Sequence, residues 1–239
     1  MAKPIASLLP SIESRLSGWE TIQTRLATPS VQRVRPAITV SRTFGCEGYP
    51  LALALQARLS EQTGEAWTVF DKALIEHVAQ AEGLPVGLLR NLGDESQKLD
   101  ALGFLPPGRS THDDAFLRLA RHLVQIAQAG NAIVVGRGGG ILCRSLANTY
   151  HFRLDAPEDF RVASVMRRLD MGREEALVYV REGSRLREAF LSERLGASMS
   201  DPLHYHGVFN NALQPVEVIA EAIVAYVKSA WPEPGLFRA

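Results

Sequence analysis

Cysteine is almost missing from this 239-residue chain: Cys46 and Cys143 are its two. Two such residues make neither a disulfide framework nor a zinc site, which fits a reducing cytoplasm. An excess of charge is missing too. Lysine plus arginine equals aspartate plus glutamate at 26 each. Nothing in the bulk therefore points to nucleic acid or an anionic membrane, and any basic site must be local. No apolar run approaches membrane-spanning length, and the N-terminus lacks the pattern of a signal peptide. There is no G-x-S-x-G elbow, which argues against a serine hydrolase. His204 and His206 flank Tyr205 without further metal ligands, and His77, His112, His122 and His151 are scattered as surface or packing residues.

What is present is ample apolar material, 46% of the residues, enough for one sizeable domain with insertions or with an appendage. The stretch Ala37 to Leu59, AITVSRTFGCEGYPLALALQARL, reads as strand, loop and helix. Ile38, Thr39 and Val40 suit a buried strand, Gly45 and Gly48 permit a bend, and Pro50 suits a first helical turn. Loop N–H groups and the positive helix end would converge there on a phosphate-sized anion. A plain strand-to-helix turn is the alternative. The literal phosphate-loop motif differs at all four defining positions, which Arg42, Glu47, Gly48 and Tyr49 occupy here. Cys46, just before the helix, would have its thiol pKa lowered by the same dipole.

Upstream, Leu9, Ile12, Leu16, Trp19, Ile22 and Leu26 recur at helical spacing from Ile5 to Ala27, followed by a proline-bounded linker from Thr28 to Pro36. That helix packs on the domain's flank or forms a homodimer contact. Downstream, Ala66 to Asp71 reads as a second strand and Lys72 to Ala81 as a helix, with a further short helix from Leu84 to Leu92. The run to Ser110 is irregular, a substrate-side flap or a surface excursion. Asp113 and Asp114 open a helix to Ala129 that Gly130 stops, and Ala132 to Val135 is a third strand.

The glycine-rich Gly136 to Gly140 follows, an incomplete dinucleotide fingerprint because Ile141 stands at its last glycine. Arg137 within it suits a bidentate grip on phosphate, or a surface position in a tight turn. Tyr150 to Leu154 is a fourth strand, and Glu158 to Leu169 a helix. Arginine then becomes dense between Met166 and Arg194, with Arg181 and Arg185 at i, i+4 and Arg187 close by: a solvated face, or a lid over a polyphosphate. Tyr205 to Asn210 is a fifth strand, Pro215 to Ser229 a last helix, and the tail from Trp231 is frayed. Strands alternating with helices predict an α/β fold, a parallel sheet of about five strands with helices on both faces. Ligands bind beyond the carboxyl ends of such strands, where Ser41, Asp71, Gly136 and Asp155 would lie.

In order and spacing, the segments ITVSRTFGCEGYPLALALQARL, VFDKALIEHVA, AIVVGRGGGILCR, FRLDAPEDFRVASVMRR with MGREEALVYVREGSRLREAF, and DPLHYHGVFNN resemble the cytidylate kinase-like family of bacterial phosphate-loop proteins, relatives of the nucleoside monophosphate kinases. The likeness runs from Ala37 to Val227 and divides the chain into an N-terminal segment 1–36, a domain 37–230 and a tail 231–239. It implies a three-layer phosphate-loop kinase fold with a helical arginine-rich lid, using ATP and Mg2+. The donor loop would be Ser41, Arg42, Gly45, Cys46 and Gly48, and the acceptor region Asp71, Lys72 and Arg137. Arg42 with the lid residues Arg181, Arg185 and Arg187 would act on the transferred phosphoryl group.

Several positions depart from the family pattern. Glu47 and Tyr49 stand where its loop has glycine and arginine, while Gly138 and Ser184 stand where relatives carry aspartate. The resemblance therefore implies either ATP-dependent phosphoryl transfer to a small phosphorylated acceptor such as a nucleoside monophosphate, or an impaired relative that binds a nucleotide, an anion or a protein partner.

Overall fold

The computed structural model describes residues 34–71, 111–136, 138–232 and 235–237. Its strands are β1 (Ala37–Arg42), β2 (Thr68–Phe70), β3 (Ala132–Val135), β4 (Thr149–Asp155) and β5 (Gly207–Asn210). They form one parallel sheet in the order β2-β3-β1-β4-β5. Among the described residues six helices accompany them: α1 (Gly48–Thr63), α2 (Thr111–Ala129), α3 (Gly139–Leu142), α4 (Glu158–Leu169), α5 (Arg173–Leu195) and α6 (Val216–Ala230).

Side-chain alternation along the strands sorts the layers. Ile38 and Val40 of β1, with Tyr150, Phe152 and Leu154 of β4, pack against Leu51, Leu55 and Leu59 of α1 and Ile219 and Ile223 of α6. The opposite face, through Ala37, Phe70 and Val134, meets Leu119, Leu123 and Ile126 of α2. The outcome is the three-layer α/β architecture. A third, smaller core joins α4 to α5 through Val162, Val165, Ala176 and Val180, and Phe44 of the first loop packs against it. The arginine-rich helical hairpin is thereby fastened to the loop after β1.

The third strand and α4 have the bounds that the sequence predicts, whereas β4 gains a residue at each end. β5 is shorter at its start because Pro202–His204 forms a 3-10 turn, which Asp201 caps by accepting from the Leu203 N–H at 2.9 Å. The tail departs from expectation. Trp231 and Leu236 are buried in the α1/α6 core, since two large apolar groups gain more from burial than from fraying. The N-terminal amphipathic helix with its dimer contact, and the helices and irregular run from 72 to 110, lie outside the described residues. Among the described residues no helix is long and apolar enough to cross a membrane.

Candidate functional site

The loop between β1 and α1 is built at the carboxyl edge of the sheet. The Thr43 N–H donates to the Leu154 carbonyl at 3.0 Å, and the Cys46 N–H closes a turn onto the Thr43 carbonyl at 3.2 Å. Gly45 has φ +97°, and a Cβ there would lie 2.7 Å from Cβ of Arg161, so conformation and space both demand glycine. The N–H of Glu47 donates to Asn211 Oδ1 at 2.8 Å. Its carboxylate accepts from Ser164, Arg167 and Asn211, each at 3.4 Å. With that N–H engaged and Pro50 bringing none, the start of α1 offers fewer donors than a phosphate loop uses.

Side-chain cations stand close by instead. A cavity of about 270 Å³ lies between the loop and the helical hairpin, with Arg42, Arg168, Arg187 and Asp71 in its wall. That volume is just below the roughly 300–1,000 Å³ of sites enclosing whole drug-sized ligands, and with three arginines in its wall it suits a small anion. Arg42 runs across Gly48, where a Cβ would lie 3.0 Å from its Cδ, and its guanidinium rests against Gly136, where a Cβ would overlap Nη1. Two glycines thus form the trough that guides it.

The hairpin grips the loop by its carbonyls. Arg187 Nη1 donates to the Arg42 carbonyl at 3.0 Å, Arg161 Nη1 to that of Phe44 at 3.1 Å, and Arg168 Nη2 to that of Gly45 at 2.7 Å. Between them the Phe44 ring meets Tyr179 edge-on at 5.2 Å and lies under the Arg187 guanidinium at 5.0 Å. Burial pulls the Arg168 pKa down, and neighbouring Glu47 opposes that. An arginine so placed remains charged at neutral pH. On the far side of the loop, Arg153 Nη2 donates to Thr43 Oγ1 at 2.8 Å, and Thr43 Oγ1 donates to Asp155 Oδ1 at 2.8 Å.

Of the residues singled out from sequence, Arg42, Gly45, Cys46, Asp71 and Arg187 line this cavity, and Gly48 lies under Arg42. Ser41 does not line it. It is buried on the opposite face, its Oγ 3.4 Å from where a Cβ on Gly140 would stand. Arg181 forms a fork on Glu158 at 3.0 and 2.8 Å and Arg185 one on Glu182 at 2.9 and 2.7 Å, all exposed and outside the cavity. Lys72 and Arg137 lie outside the described residues.

Sequence reasoning passed over Arg161 and took Arg168 only as one of the arginine-dense run. Seven residues apart on α4, they share a face, and that spacing was the available signal. Cys46 also differs from expectation: burial, with Asp155 adding to it, pushes its thiol up to about 11 against the pull of Arg161, Arg153 and Arg168. Burial outweighs the helix end.

Among the described residues no group of three or more His, Cys, Asp or Glu side chains is arranged to hold a metal. Mg2+ is commonly bound by one or two carboxylates together with substrate phosphates, and Asp71 in the cavity wall fits that mode.

The model of the cytidylate kinase-like family matches residues 37–213. No curated protein matches the chain. Among solved structures, an uncharacterized protein from Eubacterium ventriosum superposes with a TM-score of 0.62 at 16% identity, over 82% of this chain and 99% of that one. A shikimate kinase from Acinetobacter baumannii in complex with shikimate gives 0.45 at 13% identity, over 83% and 96%. A gluconokinase from Sinorhizobium meliloti gives 0.43 at 11%, over 83% and 94%. At such identities the likeness concerns the fold, and the first superposition carries it.

Proposed function

The chain belongs to the cytidylate kinase-like family, and from that premise we propose that it transfers the terminal phosphoryl group of ATP to a small phosphorylated acceptor, with a nucleoside monophosphate as the class to test first. The observation that carries this reading is the cavity beside the first loop that Arg42, Arg168, Arg187 and Asp71 line together.

Phosphoryl transfer asks a protein mainly to position two oxygens in line and to neutralise charge on the transferred group. Three guanidinium groups meet that need. Arg168 and Arg187 now donate to loop carbonyls, and a phosphate oxygen, being anionic, would be the stronger acceptor for the same forks. In this reading Asp71, which follows β2 and lines the cavity, orients an acceptor hydroxyl or phosphate, and the family resemblance adds Lys72 and Arg137 to the acceptor region. Held by Asp71 and the substrate phosphates, Mg2+ would supply further positive charge at the phosphoryl oxygens. Arg181 and Arg185 enter this reading by exchanging Glu158 and Glu182 for phosphate. The two buried free thiols suit a reducing compartment such as the cytoplasm.

One observation favours a second reading. The Glu47 N–H belongs to Asn211 and the carboxylate to Arg167, so the loop lacks a donor that the family's glycine leaves open. On that ground the chain would be a catalytically impaired binder of a nucleotide or anion that acts through a protein partner.

Terminally labelled ATP with Mg2+ and a panel of nucleoside monophosphates separates the two. The kinase reading expects label on one acceptor, with the rate falling by about two to three orders of magnitude in Arg168→Ala. Saturable binding of ATP or of inorganic triphosphate with no transfer to any acceptor supports the second reading, and absence of binding to either overturns both.

A further inference from the structure

β4 is buried on both faces, where a parallel strand is ordinarily apolar, yet it carries Arg153 at 7% exposure. Arg153 pairs in register with Ser41 of β1 and Val208 of β5 and lies 5.9 Å from the Tyr205 ring centroid. Its Nη2 donates to Thr43 Oγ1 at 2.8 Å and is 3.6 Å from Asp155 Oδ2, while its buried Nη1 has no hydrogen-bond partner.

Stability does not account for that arrangement. A buried guanidinium with an unsatisfied N–H is costly, and because its partner Asp155 is half-exposed, an apolar side chain of similar volume in its place would leave no buried charge unpaired. Asp155 neutralises the charge only in part, being 51% exposed and therefore screened by water. What Arg153 does have is proximity to the first loop. It holds Thr43 within that loop, and its positive charge pulls the Cys46 thiol down while burial pushes it up. The loop itself has Gly48 in the place of the motif's lysine.

Building on the cavity reading above, we infer that Arg153 is a positioning residue that supplies, from beneath the first loop, the positive charge a phosphate-loop lysine supplies from within it. The field of a buried cation is weakly screened, so it acts on a polyphosphate above the loop without touching it. The chemistry recognised is that of an oxyanion, the phosphate chain of the donor nucleotide.

The test is calorimetric titration of ATP with Mg2+ and of inorganic triphosphate into wild type, Arg153→Met, Arg153→Lys and Arg187→Ala, with urea denaturation of each. The inference expects Arg153→Met to bind both ligands about tenfold more weakly. Its denaturation midpoint should be equal to or higher than wild type, and Arg153→Lys should recover most of the affinity. Arg153→Gln, which keeps a donor for Thr43, carries the same expectation should the methionine variant not fold. If the midpoint falls while affinity is unchanged, Arg153 is structural and the inference is wrong. If Arg187→Ala weakens binding and Arg153→Met does not, this inference alone fails. If wild type binds neither ligand, the cavity reading fails and this inference with it.

Discussion

Replacing Gly183 by alanine would place a Cβ at 2.5, 2.6 and 2.7 Å from three ring atoms of Phe44. Two effects oppose each other. Alanine in a helix interior is worth about 1 kcal/mol over glycine, and Gly183 lies mid-way along α5. Overpacking a contact of this kind costs roughly 1–3 kcal/mol. The ring has little room to withdraw, since Tyr179 meets its edge and Arg187 covers its face. The clash should therefore win, by about 1 kcal/mol net.

A double-mutant cycle isolates that contact. Urea denaturation of wild type, Gly183→Ala, Phe44→Ala and the double variant should show Gly183→Ala destabilising in the first background. In the Phe44→Ala background it should stabilise by about 1 kcal/mol, giving a coupling of about 2 kcal/mol. Because Phe44 belongs to the loop, ATP affinity should fall in Gly183→Ala as well. An alanine that stabilises both backgrounds equally would refute the account of how the hairpin seats on the loop.

Gly136→Ala should lose about 1–2 kcal/mol from its φ of +76° alone. It should also weaken ATP binding, because the new Cβ would overlap the Arg42 guanidinium; unchanged affinity in calorimetry would show that Arg42 is not needed there. His151 accounts for an acid dependence. Burial, with His206 adding to it, lowers its pKa from the ordinary 6.5 to about 4. Between those values the unfolded chain takes up a proton that the fold refuses, so stability is full above pH 6.5 and declines by about 3 kcal/mol towards pH 4. His151→Asn should flatten that slope in urea midpoints, and an unaltered slope would assign it to other groups. Cys46 and Cys143, pushed up to about 11 and about 12 by burial, should resist iodoacetamide at pH 7.5 in the folded protein and react once it is denatured. Rapid labelling of the native chain would contradict both environments.

The sheet was legible because its strands are short β-branched runs set between glycines and helical stripes, and periodicity reports that directly. The arginines were only half legible. Arg181 and Arg185 share a helix face by spacing, but Arg187 lies six residues beyond Arg181, about 120° away around α5. It is on the side of Ala176, Val180 and Gly183 that faces the first loop, whereas the other two meet Glu158 and Glu182. Spacing along one helix says which residues share a face. It does not say which face meets the loop, and for that the partner element is needed. Glu47 was legible as an intruder in the loop, but its ties to Asn211 and Arg167 join positions far apart in the chain. Trp231 and Leu236 were misread for a related reason: prolines mark where a helix ends, not whether the apolar groups beyond it find a core.

The proposed phosphoryl transfer requires an anion to be held between the first loop and the helical hairpin by Arg42, Arg168 and Arg187. Calorimetric titration of ATP with Mg2+ into wild type, Arg168→Ala and Arg187→Ala tests it most directly. Wild type should bind saturably and each variant should lose about tenfold or more in affinity, as expected when a charge-assisted hydrogen bond is removed. Undiminished binding by both variants would put the anion elsewhere.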